Sequence, residues 1–391
     1  MAKRIPDDAG INTRLMHGGN DPHDYYGFVN PPVVHASTVL FPDAATLASR
    51  QQKYTYGTRG TPTTDALALA IDELEGSAGT IIVPSGLMAV VVPLLGFLSA
   101  GDHLLVVDSV YHPTRNVVDT MLKRFGVDVE FYDPRVGAGI AALMKPNTKV
   151  VFTESPGSNT FEVQDIPAIV AAAHAGGAIV MLDNTWATPL YFRALDFGVD
   201  ISIHAATKYP AGHSDVLLGT VSANAACWRR LNETFNTLGS CAGPDDVYQV
   251  LRGLRTMGVR LERHQKSALD IARWLEGQEG VARVLHPALE SHPDHALWKR
   301  DFSGASGLFS IVLTGDGPKT SHAFLDALAI FGLGHSWGGY ESLAALVSLS
   351  DRTISKGPYE GPLVRLQIGL EDVEDLKRDL ARGLEAARLA N

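Results

Sequence analysis

The sequence predicts an α/β fold: a large domain on a mostly parallel seven-stranded sheet, followed by a smaller α+β domain. From residue 63 onward, segments of helical periodicity alternate with short apolar segments of strand character, and after residue 245 that alternation stops. Five of the predicted strands end in loops of small and polar residues, and a parallel sheet gathers ligands at the carboxyl ends of its strands.

Residues 1–60 have little periodicity and many turn formers, as in Gly18-Gly19-Asn20-Asp21-Pro22 and Asn30-Pro31-Pro32. So long a stretch without strong elements is expected to be an arm lying on another surface, that of a neighbouring subunit in an oligomer. The alternation then runs in order. Thr63–Gly76 reads as an amphipathic helix, Thr80–Val83 as a strand, Gly86–Ser99 as a helix and His103–Val107 as a strand. Helices at 113–125, 137–144, 165–175 and 189–197 separate strands Val127–Phe131, Lys149–Thr153, Ala178–Leu182 and Asp200–Ile203, and Leu217–Ser222 is the seventh strand. Asp245–Gln278 reads as one long helix capped by Asp245, with Gly253 and Gly258 as bend points. Strands Val281–Leu285, Leu308–Thr314, Ala329–Leu333 and Leu363–Ile368, with intervening helices, and a charged amphipathic terminal helix at 372–389 complete the smaller domain. The expected division is an arm at 1–60, an α/β domain at 61–245 and an α+β domain at 246–391.

Composition narrows the function. A net charge of −10 argues against a nucleic-acid surface, which needs a basic excess, while leaving room for a local anion site. Two cysteines, Cys227 and Cys241, build neither a secreted disulfide framework nor a metal-ligand spacing, so a reducing, cytoplasmic setting is expected. The longest apolar run, near Leu87–Leu98, is interrupted by Pro93 and Gly96 and is too short for a bilayer core of roughly 30 Å. No G-x-G-x-x-G follows the first strand, which argues against a nicotinamide dehydrogenase.

The strand-end loops carry the chemistry. Lys208 follows a strand and stands among Ala205, Ala206, Thr207, Gly212 and Ser214, which leave room for a ligand and offer few charges to pair its amine. A lysine so placed is desolvated, loses its proton more readily and can form a Schiff base. Pro84-Ser85-Gly86-Leu87 joins a strand to a helix whose first amides suit a phosphate. Tyr111 is placed to stack as a flat aromatic, Glu154-Ser-Pro-Gly-Ser158 reads only as a polar loop, and Asp183 is a carboxylate after an apolar strand. Lysine, aspartate, stacking ring and helix-start loop at the mouths of one sheet together meet the needs of pyridoxal phosphate.

Tyr56 with Arg59-Gly60-Thr-Pro, Ser85-Gly86-Leu87, Asp183-Asn184-Thr, Ala206-Thr207-Lys208-Tyr209, Gly212-His-Ser-Asp215, Ser336-Trp-Gly-Gly-Tyr-Glu-Ser342 and Arg365-Leu-Gln-Ile-Gly369 carry a resemblance over nearly the whole chain. The chain resembles the Cys/Met-metabolism family of pyridoxal-phosphate enzymes. That resemblance implies the pyridoxal-phosphate-dependent transferase-like fold of the aspartate aminotransferase type. It implies that Lys208 holds the cofactor covalently and then moves protons, that Asp183 pairs with the pyridine nitrogen, and that Tyr111 stacks on the ring. Ser85, Gly86, Leu87 and Thr207 would hold the phosphate. Tyr56 would reach a neighbouring subunit's site, and Arg365, helped by Ser336 and Trp337, would bind the substrate α-carboxylate. A homotetramer of two active dimers is implied, with no nucleic-acid or membrane partner. Glu154-Ser-Pro-Gly-Ser and Ser336-Trp-Gly-Gly-Tyr resemble the β-eliminating members, which implies conversion of L-cystathionine to homocysteine, pyruvate and ammonia in methionine biosynthesis, with cystine and other S-substituted cysteines as further substrates. The γ-acting members commonly have Asn-Pro near Ser158 and Glu where this chain has His335. In two places the chain departs from the family pattern: Thr58 stands where many members have a phosphate-binding Arg, with Arg59 one residue later, and Ala205 stands where Ser is common.

Overall fold

In the computed structural model, which describes residues 6, 8–19, 21–315, 317–357 and 359–390, two sheets organise the chain. The larger consists of β1 (Gly79–Val83), β2 (His103–Val107), β3 (Asp128–Tyr132), β4 (Thr148–Glu154), β5 (Ile179–Asp183), β6 (Ile201–His204) and β7 (Gly219–Ala223) in the order β1-β7-β6-β5-β4-β2-β3. β7 alone runs against its neighbours β1 and β6; the pairs β2–β3, β2–β4, β4–β5 and β5–β6 are parallel. Every residue of β1, β2, β6 and β7 is buried, as required of strands covered by helices on both faces. The second sheet consists of β8 (Val281–Leu285), β9 (Leu308–Leu313), β10 (Gly332–Leu333), β11 (Leu343–Val347) and β12 (Leu363–Gln367), in the order β10-β11-β12-β9-β8. Its own core, built on Phe309, Ile311, Phe324 and Leu366, packs against the helix Val373–Ala390.

All seven predicted strands of the large sheet form, each within two residues of its expected bounds. The helix expected at 113–125 is α-helical over His112–Asn116 and widens to a π-helix over Val117–Leu122, and the segment at 137–144 is a 3-10 helix over Gly137–Leu143. The single long helix expected from Asp245 is two, Pro244–Leu254 and Met257–Glu276, with Gly243 at the N-cap and Asp245 inside the first turn. The break has a packing cause. A side chain on Gly253 would lie 2.3 Å from the Ala211 carbonyl, and the Arg260 guanidinium donates both to the Gly253 carbonyl (2.7 Å) and to the Tyr209 carbonyl (2.8 Å). The turn between the helices is thereby moulded to the loop that carries Lys208.

Besides the short helices Ile11–His17 and Ala44–Ser49 of the arm, a helix and a strand were not anticipated. The helix Ala225–Leu238 is capped by Asn224, whose side chain accepts from the Cys227 amide, and ends on Gly239 at φ 62°. β11 lacks β-branched residues until Val347, so it carried no strand signal. The strand expected at Ala329–Leu333 shrinks to its last two residues because the buried Asp379 carboxylate accepts the amides of Ala329, Ile330 and Phe331, which are thus unavailable to a ladder.

Within the arm, Ile11–His17 packs on its own chain: Leu15 is buried, and Arg255 donates to the carbonyls of Leu15 and Gly18. The following segment presents Tyr26, Phe28, Val29 and Leu40 at 98, 69, 76 and 85% exposure. Residue 246 lies inside the helix Pro244–Leu254, which packs on the large-domain helix Pro62–Glu75.

Candidate active site

A cavity of about 270 Å³ opens at the carboxyl ends of β1, β2, β4, β5 and β6. Ser85, Gly86, Leu87, Tyr111, Asp183, Thr207, Lys208, Trp337 and Arg365, all singled out in the sequence, line it together. Ser336 joins them by accepting a hydrogen bond from Lys208 Nζ at 2.6 Å. Tyr56 and Arg59 do not: in the single chain they line a separate, larger hollow, where Tyr56 forms a bridge to Thr38.

Lys208 follows β6 in a tight turn, its amide donating to the Ala205 carbonyl and its own carbonyl accepting from Gly212. The small residues around it serve different purposes. Ala205 and Thr207 face the cavity, Ala206 is core, Ser214 pairs with Glu341, and Gly212, at φ 72°, receives the Arg260 guanidinium where a Cβ would stand. Burial, reinforced by the nearby Arg365 cation, lowers the Lys208 amine to about 8, against a weaker opposing pull from Asp183. Its ammonium lies 5.4 Å from the centre of the Trp337 ring. Gly338, at φ 83°, lets the loop bearing Ser336 and Trp337 press directly on the Lys208–Tyr209 backbone.

On the other side of the cavity, burial raises the Asp183 carboxyl; its Oδ1 accepts from both the amide and the hydroxyl of Thr185, and Oδ2 has no hydrogen-bond partner among the described residues. Tyr111, 44% exposed, sits at the N-cap of the helix His112–Asn116, and its amide donates to Glu154 Oε2 at 2.7 Å. Ser85 caps the helix Gly86–Phe97 by accepting from the Met88 amide, which leaves the amides of Gly86 and Leu87 without an intrahelical acceptor. Gly86 is required here because a Cβ would stand 2.5 Å from that of Ala205. The Thr207 hydroxyl donates to the Leu218 carbonyl and accepts from its amide.

Arg365 reaches the cavity from β12. Its guanidinium contacts only neutral acceptors, Asn159 Oδ1 at 3.3 Å and the Ser336 carbonyl at 3.4 Å, and it forms no ion pair among the described residues. A desolvated cation in that state calls for an anionic ligand. Glu154 and Asn159 also line the cavity, from a segment whose sequence reads only as a polar loop. The sequence signal for Glu154 is a carboxylate directly after the predicted strand Lys149–Thr153; Asn159 has left-handed backbone, φ 66°, a state that Asn adopts more readily than most residues.

These groups fit pyridoxal phosphate: a lysine of lowered basicity, a carboxylate with an open oxygen, two open helix-start amides and an aromatic ring surround one cavity. Fold and site together define a pyridoxal-phosphate-dependent enzyme of amino-acid chemistry. Residues 12–385 match the family described as Cys/Met metabolism PLP-dependent enzyme. The chain belongs to that family. It is 71% identical over 384 residues to a Rhizobium johnstonii protein provisionally named cystathionine beta-lyase, with 97% of each chain covered. Over 389 residues it is 44% identical to the cystathionine beta-lyase of Escherichia coli, covering 96% of this chain and 98% of that one. Among solved structures, a cystathionine gamma synthase from Xanthomonas oryzae pv. oryzae superposes with a TM-score of 0.91 at 35% identity, over 98% of this chain and all of that one. In the described residues no helix is long and apolar enough to cross a membrane.

Proposed function

We propose that the protein cleaves the Cβ–S bond of L-cystathionine to release homocysteine, pyruvate and ammonia, a step of methionine biosynthesis. The observation that carries this reading is the pairing, in one cavity, of Lys208 with an Arg365 that has no anionic partner. An α-amino acid satisfies both, its amine toward Lys208 and its carboxylate on the guanidinium fork. The choice of Cβ over Cγ rests on the 71% and 44% identities to proteins bearing the β-lyase name.

Bound in this cavity, pyridoxal phosphate supplies an electron sink for the pair left when Cα–H breaks. The chain supplies the rest. Asp183 would pair with the pyridine nitrogen, Tyr111 would cover the ring, and the amides of Gly86 and Leu87, with Ser85 and Thr207, would hold the phosphate. Arg365 holds the α-carboxylate so that the Cα–H bond faces Lys208. The neutral amine of Lys208 accepts that proton at Nζ, with Ser336 Oγ fixing its direction. Loss of the β-sulfur as homocysteine leaves a three-carbon remainder that takes up water and ends as pyruvate and ammonia. Cystine and other S-substituted cysteines present the same Cα, Cβ and sulfur and are accepted as alternative substrates.

The protein works as a homotetramer in the reducing cytoplasm. Tyr56 and Arg59 complete the site of a neighbouring subunit, and the exposed apolar segment from Tyr26 to Leu40 is the surface that a second copy covers. The test is product analysis. L-Cystathionine incubated with purified protein yields pyruvate and homocysteine; 2-oxobutyrate and cysteine instead would place the chain with the γ-acting enzymes.

A further inference from the structure

Glu154 ends β4 and stands beside Asp183 of β5 in parallel register, so two carboxylates from adjacent strands reach the same cavity. Only one has a place in the mechanism above. Glu154 Oε2 accepts the Tyr111 amide, while Oε1 has no hydrogen-bond partner among the described residues. The Glu154 backbone is itself fixed, its carbonyl accepting from Gln164 Nε2 at 2.8 Å. Tyr111 needs such an anchor: its side chain is 44% exposed, its own side chain makes no capping hydrogen bond, and the helix it precedes is only five residues long.

We propose that Glu154 is a positioning residue that fixes Tyr111 over the cofactor ring through the Tyr111 amide. The inference rests on the pyridoxal-phosphate reading of the cavity. Charge agrees with the geometry: burial, and then the neighbouring Asp183, raise the Glu154 carboxyl well above the usual carboxylate range. Two carboxylates this close do not both ionise readily, and Glu154 keeps an acceptor oxygen for the Tyr111 amide whether or not it is protonated.

The test compares wild type with Glu154→Ala, Glu154→Gln, Tyr111→Ala and the Glu154→Ala/Tyr111→Ala double variant, each stripped of cofactor and titrated with pyridoxal 5′-phosphate. Binding is read by fluorescence quenching and by circular dichroism of the visible band, beside kcat and KM. Loss of one hydrogen bond predicts cofactor affinity about three- to ten-fold weaker in Glu154→Ala, with kcat falling more than KM rises. Glu154→Gln keeps an oxygen acceptor and returns affinity to within about two-fold of wild type. In the Tyr111→Ala background there is no ring to misplace, so Glu154→Ala adds nothing. Wild-type behaviour of Glu154→Ala, equal impairment of Glu154→Gln, or full additivity with Tyr111→Ala would each overturn the proposal. Failure of wild type to bind pyridoxal phosphate would instead overturn the cofactor reading beneath it.

Discussion

Lys208 Nζ donates to Ser336 Oγ at 2.6 Å, joining the end of β6 to a loop 128 residues further along the chain. The contact places the Lys208 amine between the end of the larger sheet's β6 and a loop of the smaller domain. Arg365 donates to the Ser336 carbonyl, so a single residue orients both cations of the site.

On the proposed reading, replacing Lys208 by Ala removes the proton-transfer group and the covalent anchor together. Turnover of L-cystathionine falls by roughly 10⁴-fold or more. The fold persists, because the deleted side chain contributes one hydrogen bond and an unfavourably desolvated charge. Steady-state kinetics with circular dichroism checks both.

The pH dependence follows from the same amine. Below about pH 8 the amine is protonated both folded and unfolded, so the full cost of its burial is present. Between about 8 and the ordinary value of 10.5, the unfolded chain binds more protons, so stability of the cofactor-free protein rises with pH across that window. Lys208→Met abolishes this rise in thermal-melt series. The rate of capture of pyridoxal phosphate by the cofactor-free protein also increases through pH 8. Arg365→Leu, by removing a neighbouring cation, moves that midpoint upward, whereas Asp183→Asn moves it down.

Ser336 holds a left-handed backbone at φ 78°, which a non-glycine residue adopts at a cost of about 1 kcal/mol or more. Ser336→Gly relieves that cost and stabilises the protein by about 0.5–1 kcal/mol in denaturant titration, while kcat falls through loss of the lysine's acceptor. Ser336→Ala lowers kcat to the same extent without the gain in stability. Equal stability of the Gly and Ala variants would show that the backbone state carries no strain.

Asp108, buried just beyond β2, clamps the second sheet's 353–355 loop: its carboxylate accepts the amides of Thr353, Ile354 and Ser355 and pairs with Arg115. Burial works to raise its carboxyl, but the Ser355, Thr353 and Ile354 amides, together with Arg115, outweigh burial and hold it well below the usual range. Its stabilising contribution is therefore fully present above the ordinary value of 3.8 and is lost only as pH falls below it. Asp108→Ala leaves three loop amides without their acceptor and Arg115 with only the Asp351 carboxylate, 3.6 Å from its Nε, and costs about 3–5 kcal/mol, read as a lowered melting temperature at neutral pH.

Subunit mixing tests the role proposed for Tyr56. Tyr56→Ala and Lys208→Ala each give inactive or weakly active protein, but refolded together they form hybrid dimers with one intact site. Statistical mixing then restores about a quarter of wild-type activity. No recovery would mean that Tyr56 serves its own chain.

The strands were legible because a covered parallel sheet demands uninterrupted apolar runs, and β1, β2 and β5 carry them. The lysine turn was legible because Thr207-Lys208-Tyr209-Pro210 ends such a run abruptly. The single helix predicted from Asp245 was not, since its break depends on Arg260 reaching the Gly253 and Tyr209 carbonyls. Nor was the shortening of the strand at Ala329, where the competing acceptor, Asp379, comes from the terminal helix.

From the residues alone came the α/β class, the strand-end positions of Ser85, Tyr111, Asp183 and Lys208, and a cofactor that their chemistry suits. Periodicity and turn chemistry act over a few residues, and those properties are local. Tertiary structure alone decided that Ser336 meets Lys208, that Asn159 meets Arg365, that Glu154 stands beside Asp183 and under the Tyr111 amide, and that Gly212 makes room for Arg260 rather than for a ligand. Each of those pairings joins segments far apart in the chain, and only strand order and loop packing bring them together.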